Sequence, residues 1–388
     1  MDALWVASKV LRKHWDIFVR WALGIAGLVL GAVGIVDDHG WFRLLSLGFG
    51  AYFLVTGVWK FVREWRDLEQ VLRSRQQWEY TTTYDSWLPL DFGRTRAIYS
   101  PAVNRRLASE EPIVLEQGEQ WLPKGRAREL HDRHKVRLGR NDPKLRLATD
   151  LLEGTERVSL DRTDYASFLA TNRLAYRGWY QRSRDEMFLS FEDLEPSTQV
   201  EGRLPDLADS RCANHIGGDI LAVGEGCVFV QLQNKRNGMY PNLWMASGSG
   251  SFDVQDWTSS NSLQDLVKTG MLRELTEEMK LKPAQVPSHA ETKVIGYSRA
   301  TYLGGKPQFY GVCRIGDVKP GTDRYARRYE RLTFKGGAAG LVAALEAFVE
   351  ENADGVAPPL EMHVLMTKHW LESDPDAEEW LLGVRQGS

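Results

Sequence analysis

Apolar residues cluster near the start of the chain, in two stretches at about 21–36 and 44–59. The first stretch carries no charge and reaches roughly 20 residues if Arg20 extends its charged end to the membrane surface, which is the length needed to cross about 30 Å of hydrocarbon. The turn-forming segment 37–40 is too short to fold alone, so the two helices would be antiparallel neighbours. The pattern predicts a transmembrane helical hairpin within 1–66.

Basic residues flank the outer ends of both stretches, whereas the turn between them carries two aspartates. The positive-inside rule therefore predicts a two-pass protein with both termini in the cytoplasm. Tryptophans near the span ends are typical of membrane interfaces. A buried helical pair in a water-soluble core is the alternative. The flanking basic residues are Lys9, Arg12, Lys13, Arg20, Lys60, Arg63 and Arg66.

Four glycines at helical spacing in the first stretch, at 24, 27, 31 and 34, allow close backbone approach in lipid and favour helix association, either within the hairpin or between the protomers of a homo-oligomer. The net charge of −3 over 388 residues indicates no bulk nucleic-acid binding. The chain has three cysteines, and none shows CxxC or Cys/His spacing. The sequence therefore predicts neither disulfides nor a structural zinc site.

The rest of the chain divides into two parts that differ in composition. For residues 67–205, the sequence predicts a helical stalk followed by a mixed α/β connector. This part includes a basic segment at 124–146, which carries His131 and His134 at i, i+3 spacing. This segment is either a basic surface near anionic lipid or a metal-binding pair. Residues 206–388 combine short β-type runs with two helical segments, at 262–279 and at about 338–351, so the predicted class is α+β.

The strongest chemical signal is the segment 273–278, which reads Arg-Glu-Leu-Thr-Glu-Glu on a predicted helix at 262–279. At 3.6 residues per turn, Glu274, Glu277 and Glu278 share one helical face. Carboxylate oxygens are ligands that Mg²⁺ prefers, and Mg²⁺ commonly bridges them to substrate phosphates. These three glutamates are therefore the candidate metal ligands and catalytic residues.

This segment resembles the helix of the Nudix box, whose pattern is a glycine, a distant glutamate, and then Arg-Glu-apolar-x-Glu-Glu-x-Gly-apolar. The upstream segment 240–251, with its Ser-Gly-Ser-Gly-Ser turn, resembles the strand that leads into the box. The resemblance implies a Nudix-like α/β/α sandwich with a mixed sheet over 206–388. It also implies that Arg273 braces a loop through a carboxylate.

The segment departs from the family pattern at three places. Asp265 stands eight residues before Arg273, where the family has its first glutamate. Fourteen residues separate Gly250 from Asp265, where the family has five. Lys280 replaces the glycine that ends the helix. Asp265 also fits a helix cap with Ser262, so its position has a structural explanation that needs no metal.

The order of two spans, a connector and a Nudix-like domain is similar to that of transmembrane effectors in bacterial cyclic-oligonucleotide anti-phage signalling (CBASS). This resemblance implies an inner-membrane protein that binds a cyclic oligonucleotide, oligomerises and disrupts the membrane. The candidate ligand-binding residues are Tyr240, Trp244, Ser249 and Arg299. The alternative is a membrane-anchored Nudix hydrolase that uses Mg²⁺ against nucleoside diphosphate derivatives.

Overall fold

The computed structural model contains two compact units, 1–76 and 77–388. The larger described segments all lie in the second unit. The described residues are 19, 22–23, 25–26, 50–53, 55–59, 81–82, 86–91, 96–139, 141–177, 203–235, 239–258, 260–324 and 326–383.

Most of the predicted hairpin lies outside the described residues, so the two spans stay a prediction. Within the part that is described, no helix has both the length and the apolar character needed to cross a bilayer. The helical residues described there expose large apolar side chains, including Leu23, Ile25, Val55 and Trp59.

The second unit contains fourteen strands among the described residues. They are β1 (Thr81–Thr82), β2 (Leu88–Asp91), β3 (Arg96–Tyr99), β4 (Val114–Gln120), β5 (Pro143–Leu147), β6 (Arg157–Asp164), β7 (Arg203–Leu204), β8 (Gly217–Gly224), β9 (Cys227–Gln233), β10 (Trp244–Met245), β11 (Gly248–Ser251), β12 (Thr292–Ala300), β13 (Lys306–Arg314) and β14 (Ala326–Thr333).

Nine α-helices of the second unit are described. They are α1 (Pro101–Ala108), α2 (Gly125–Leu138), α3 (Tyr165–Ala170), α4 (Asn172–Arg177), α5 (Val254–Trp257), α6 (Leu263–Met279), α7 (Gly337–Glu351), α8 (Pro358–Ser373) and α9 (Ala377–Leu382).

The main sheet has nine strands in the order β10-β9-β8-β13-β12-β3-β2, with β11 beside β8 and β14 beside β9. Its centre is mixed, because β8 runs parallel to β13 while β12 and β9 are antiparallel to their neighbours. One face packs against α6 and the other against α7 and α8. The expected α/β/α arrangement with a mixed sheet is confirmed.

The sheet splits where β8 and β9 diverge. β9 pairs with β8 only through its first two residues and with β10 further along, while the start of β8 pairs with β11. Ser247, between β10 and β11, closes the split. Its hydroxyl accepts from the backbone N–H of Ala222 at 2.8 Å and donates to the carbonyl of Phe229. Both strands are thereby satisfied at the point where their ladder ends.

Part of the predicted connector belongs to the same sheet. Strands β2 and β3 extend it beyond β12, and α1 packs on β12. β12 has a bulge between Val294 and Gly296, and the side-chain carbonyl of Asn104 in α1 accepts from the backbone N–H of Tyr297 at 2.9 Å. A smaller sheet, β4-β6-β5, docks through isolated bridges such as Arg146 with His215. The described residues between 86 and 177 are therefore joined to the strands of 206–388 and do not form a separate domain.

The helix predicted at 262–279 is α6, which begins after a Ser262 cap whose hydroxyl accepts from the N–H of Asp265 at 3.1 Å. The helix expected near 338–351 is α7. Helices α8 and α9 were not predicted. Their segment carries polar and aromatic residues on several sides, and nine of the sixteen residues of α8 are buried, so no clean amphipathic stripe marks it.

The C-cap of α6 gives a stability prediction. Lys280 ends the helix in the left-handed conformation, at φ 53° and ψ 45°. Lys280→Gly should raise the free energy of unfolding by up to about 1 kcal/mol, because glycine adopts this conformation without the Cβ penalty. Lys282, at φ −74°, is the matched control. Urea unfolding of the full chain measures both, and equal destabilisation by the two glycines would contradict the prediction.

Candidate functional site

The α6 helix places its apolar residues against the sheet and its polar residues along the edge near β11. Val267, Met271 and Leu275 are buried in the core, whereas Glu277 on the outer side is 60% exposed. Glu274 and Glu278 are carboxylates of the same helix, yet both are largely withdrawn from solvent. The helix therefore carries two of its carboxylates into the protein.

Two glycines of β11 make room for α6. A Cβ at Gly248 would come within 2.7 Å of the Leu275 Cα, and one at Gly250 would lie 2.0 Å from the carboxyl carbon of Glu274. The Ser-Gly-Ser-Gly-Ser pattern is thus a strand that approaches the helix backbone rather than a free turn. The position of Glu274 depends directly on the missing side chain at 250.

Arg273 holds the segment between β11 and α6. Its guanidinium donates from Nε to Oδ1 of Asp256 at 2.8 Å and from Nη2 to Oδ2 at 3.0 Å. Asp256 is only 2% exposed and also accepts from the N–H of Asp253, which closes the capping box of α5. A two-point contact of this kind fixes both distance and orientation. The expectation that Arg273 braces a loop through a carboxylate is confirmed in its geometry.

The partner acid is Asp256 and not Asp265. Asp265 is 41% exposed, and its closest basic group is His289 at 3.9 Å. Counting from Gly250, five residues precede Asp256, which is the spacing expected of the family pattern. The extra residues therefore lie between the acid and Arg273, where the chain forms α5 and the loop before α6. Counting forward from the glycine would have identified Asp256.

Glu278 is held inside the sheet split. It is 4% exposed, and its Oε2 accepts from the side-chain amide of Gln231 at 2.6 Å and from the backbone N–H of Ser249 at 2.9 Å. Burial, with a smaller contribution from Glu274, raises the pKa of Glu278 well above its ordinary value. The carboxyl group thus joins α6 to β9 and β11.

Glu274 is in a different environment from Glu277. The Glu274 carboxylate accepts from Nη1 of Arg273 at 2.9 Å, and burial raises its pKa to about 7 even though Arg273 and Lys144 lower it. Glu277 lies 3.8 Å from the same guanidinium group and is mostly exposed. Lys144, from β5, also reaches this region by donating to the Ser251 carbonyl at 3.3 Å and pairing with Asp253.

The three glutamates do not form a common metal site in this arrangement. Within the described ranges, no group of three or more His, Cys, Asp or Glu side chains is placed to hold a metal ion. Glu278 is engaged by two donors and Glu274 by Arg273, while Glu277 faces solvent. The oxygen ligands suit Mg²⁺ chemically, but their placement does not fit the ion.

The residues predicted to bind a ligand are mostly internal. Arg299 is 1% exposed and contacts Asp150 at 3.2 Å and the Pro205 carbonyl at 2.8 Å. Tyr240 donates to Tyr302 at 3.1 Å, and Trp244 packs edge-on against Phe348. Ser249 is partly exposed and contributes its backbone N–H to Glu278. Arg299, Tyr240 and Trp244 therefore support the fold, and Ser249 is the only one of the four at the α6 site.

His131 and His134 in α2 do not form a metal pair. His131 is buried between two carboxylates, at 2.8 Å from Asp132 and 2.9 Å from Asp164. Burial lowers the pKa of His134 to about 4. The basic residues of this helix are largely exposed, including Arg126, which agrees with a basic surface.

Solved structures similar to this chain belong to MutT and Nudix proteins. They include a MutT protein from Methanosarcina mazei, a MutT/nudix family protein from Enterococcus faecalis, and a bifunctional NMN adenylyltransferase/ADP ribose pyrophosphatase from Francisella tularensis complexed with AMP and a Mn ion. Their sequence identities are 14%, 11% and 11%, and their TM-scores are 0.27, 0.26 and 0.27. The matches cover 40%, 45% and 55% of this chain and 92%, 83% and 63% of theirs.

No protein-family model matches the sequence, and no curated protein matches it significantly. With TM-scores below 0.3, the similarity to solved structures assigns no activity to this chain.

The assignment of the brace acid is testable by substitution. Asp256→Asn should lower the free energy of unfolding by at least about 1.5 kcal/mol, because a buried charged contact loses its charge. Asp265→Asn should stay within about 0.5 kcal/mol of the parent, as expected of a surface residue. Denaturant unfolding of the full chain compares the two, and the reverse order of effects would contradict the assignment of Asp256 as the brace acid.

The raised pKa of Glu274 predicts a pH dependence in metal-free buffer. The folded state keeps the Glu274 proton up to about pH 7, whereas the unfolded chain loses it near pH 4.5. The free energy of unfolding should therefore fall as the pH rises through this window, by about 3 kcal/mol from this group alone.

Glu274→Gln should remove most of that fall, and the exposed Glu277→Gln should retain it. Urea titrations with a chelator at several pH values between about 5 and about 8 measure the slope. An identical slope in all three proteins would show that Glu274 is ionised in the folded state throughout this range.

Proposed function

We propose that residues 77–388 recognise a nucleotide derivative on a Nudix-like fold without hydrolysing it. The observation that carries the proposal is the Glu278 carboxylate, which is bonded to Gln231 and Ser249 inside the sheet split. A metal-dependent hydrolase needs these carboxylates free to surround a cation. Here Glu278 attaches α6 to β9 and β11, and Glu274 is paired with Arg273 of the same helix.

We further propose that this recognition unit controls a membrane-bound anti-phage effector. The supporting features are the two apolar stretches at 21–36 and 44–59, the basic residues at their outer ends, and the glycines at helical spacing. The ligand would be a cyclic oligonucleotide, and its binding would promote homo-oligomerisation and disruption of a bacterial inner membrane. Ligand binding drives such a change only if the ligand has higher affinity for the oligomeric state.

The alternative is a membrane-anchored hydrolase of nucleoside diphosphate derivatives. One observation favours it: Gly250 clears space beside Glu274, and burial poises the pKa of that carboxyl at about 7, which suits an acid or base catalyst at neutral pH. In this alternative, Glu274, Glu277 and Glu278 would rearrange around Mg²⁺.

The two functions are separated by Glu277→Gln combined with Glu278→Gln, in the full chain reconstituted in vesicles. The effector function predicts dye leakage on addition of a cyclic dinucleotide from a panel of cyclic di-AMP, cyclic di-GMP and cyclic GMP–AMP. Leakage should survive in the double variant, and no panel member should be hydrolysed by either protein. The exposed pair Glu350→Gln with Glu351→Gln is the matched control for charge loss.

Turnover of a nucleotide substrate that requires Mg²⁺ and vanishes in the Glu277 and Glu278 variant would establish the hydrolase instead. Isothermal titration of the full chain in detergent with the same panel is the direct binding measurement. Silence across the panel would refute cyclic-dinucleotide sensing.

A further inference from the structure

A cleft of about 830 Å³ lies between α1, the first half of β12 and the corner between α8 and α9. Cavities of this size are typical of small-molecule sites. None of the α6 glutamates lines it. The lining residues that matter below are Tyr99, Arg105, Lys293, His369, Trp370 and Trp380.

Two pairs of aromatic rings form the walls. The imidazole of His369 stacks on Tyr99 with a centroid distance of 5.3 Å and an interplanar angle of 17°. Trp370 and Trp380 meet edge to face at 5.8 Å and 77°. Tyr99 and Trp370 are buried, whereas Trp380 is partly exposed. An exposed aromatic face in a concave site suits a planar ring that stacks on it, as nucleobases do.

A cation in the cleft retains hydrogen-bonding capacity, whereas Nδ1 of His369 is withdrawn from solvent and does not face a ligand. The Lys293 ammonium lies 3.5 Å from Asp374 and 5.9 and 5.8 Å from the Trp370 and Trp380 ring centroids. An ammonium has three donors, and a single contact at that length leaves capacity for a ligand acceptor.

The β12 bulge forms part of the cleft wall. Ile295, at the bulge between Val294 and Gly296, lines the cleft together with Asn104, the residue that satisfies the interrupted ladder. Bulges redirect side chains and are enriched beside functional sites. The strand therefore bends where a ligand would contact it.

The charge of the lining residues restricts the ligand. The corner between α8 and α9 contributes Glu372, Asp374 and Asp376, against the cations Arg105 and Lys293. A surplus of carboxylates disfavours a polyphosphate, whereas carboxylates accept hydrogen bonds from the amino groups of a base. The chemistry that fits is a heteroaromatic base with its sugar, with little phosphate charge in the cleft.

We propose that this cleft between α1, β12 and the α8–α9 corner binds the nucleobase-bearing part of the ligand, and that the α6 face does not. The proposal deepens the proposed function and rests on it. Stacking on the partly exposed Trp380 supplies the contact area, and Lys293 supplies a directed hydrogen bond.

Isothermal titration of the full chain in detergent tests the site, with adenosine and ribose 5-phosphate as the probes. Adenosine should bind and ribose 5-phosphate should not. Trp380→Leu, at a partly exposed ring, should weaken adenosine binding about tenfold or more, since stacking dominates such contacts. Trp121→Leu is the matched control, because that indole packs against Arg146 elsewhere in the unit and its loss should leave the adenosine affinity unchanged.

Photolabelling with 8-azidoadenosine locates the site without any substitution. Label on peptides that contain 99–110 or 369–380 supports the cleft. Label confined to 247–258 or 263–280, or binding of ribose 5-phosphate in preference to adenosine, overturns it while nucleotide recognition by the chain stands. No adenosine binding by the parent protein also overturns the cleft, whereas failure of the cyclic-dinucleotide panel is the separate result that removes the proposed function.

Discussion

The burial of charge on α6 determines how the rest of this unit is arranged. A carboxylate withdrawn from water costs several kcal/mol unless donors replace the lost hydration. The donors for Glu278 come from Gln231 in β9 and the backbone of Ser249 in β11. They lie on opposite sides of the split, where β9 leaves β8 and β11 pairs with the start of β8 instead. The sheet split, the short β11 strand and the position of α6 thus depend on one another.

The need of the buried carboxylates for partners also bears on whether a cation could bind at α6. A cation beside Glu274 and Glu278 would replace the protein donors as the partner of these buried carboxylates. Its positive charge would also offset the repulsion between the two carboxylates. Without the cation, burial and, to a smaller extent, the proximity of Glu274 raise the pKa of Glu278. Arg273 contacts the Glu274 carboxylate through Nη1, but its two-point contact is with Asp256. In this arrangement Glu274 and Glu278 therefore have donors from the protein itself.

Sequence patterns predicted the α6 helix and its Ser262 cap, because both depend on local periodicity and spacing. The brace by Arg273 was implied by the family resemblance and not by the pattern alone. They placed Asp265 at the position of the family's first glutamate by its distance to Arg273, whereas the acid that contacts Arg273 is Asp256, because the extra residues lie inside that distance. They also placed Arg299 in a ligand site. A buried arginine paired with Asp150 and an exposed one look alike in sequence, because the partner lies 149 residues away in the chain.

The cleft, unlike α6, was not predicted from the sequence. Its walls come from segments that show no family pattern, namely Tyr99, the β12 bulge and the α8–α9 corner. This origin bears on how a ligand could act. Tyr99 and α1 belong to the connector that follows the predicted spans, whereas Trp380 lies near the other end of the chain.

A base held between Tyr99 and Trp380 would contact both, so its binding energy would depend on the spacing of the two walls. A ligand shifts a conformational equilibrium from about 1:99 to about 99:1 only with a 10⁴-fold preference for one state. A cleft whose walls come from distant parts of the chain can supply such a preference, because a small change in spacing removes several contacts together. A rigid pocket built from one helix face cannot.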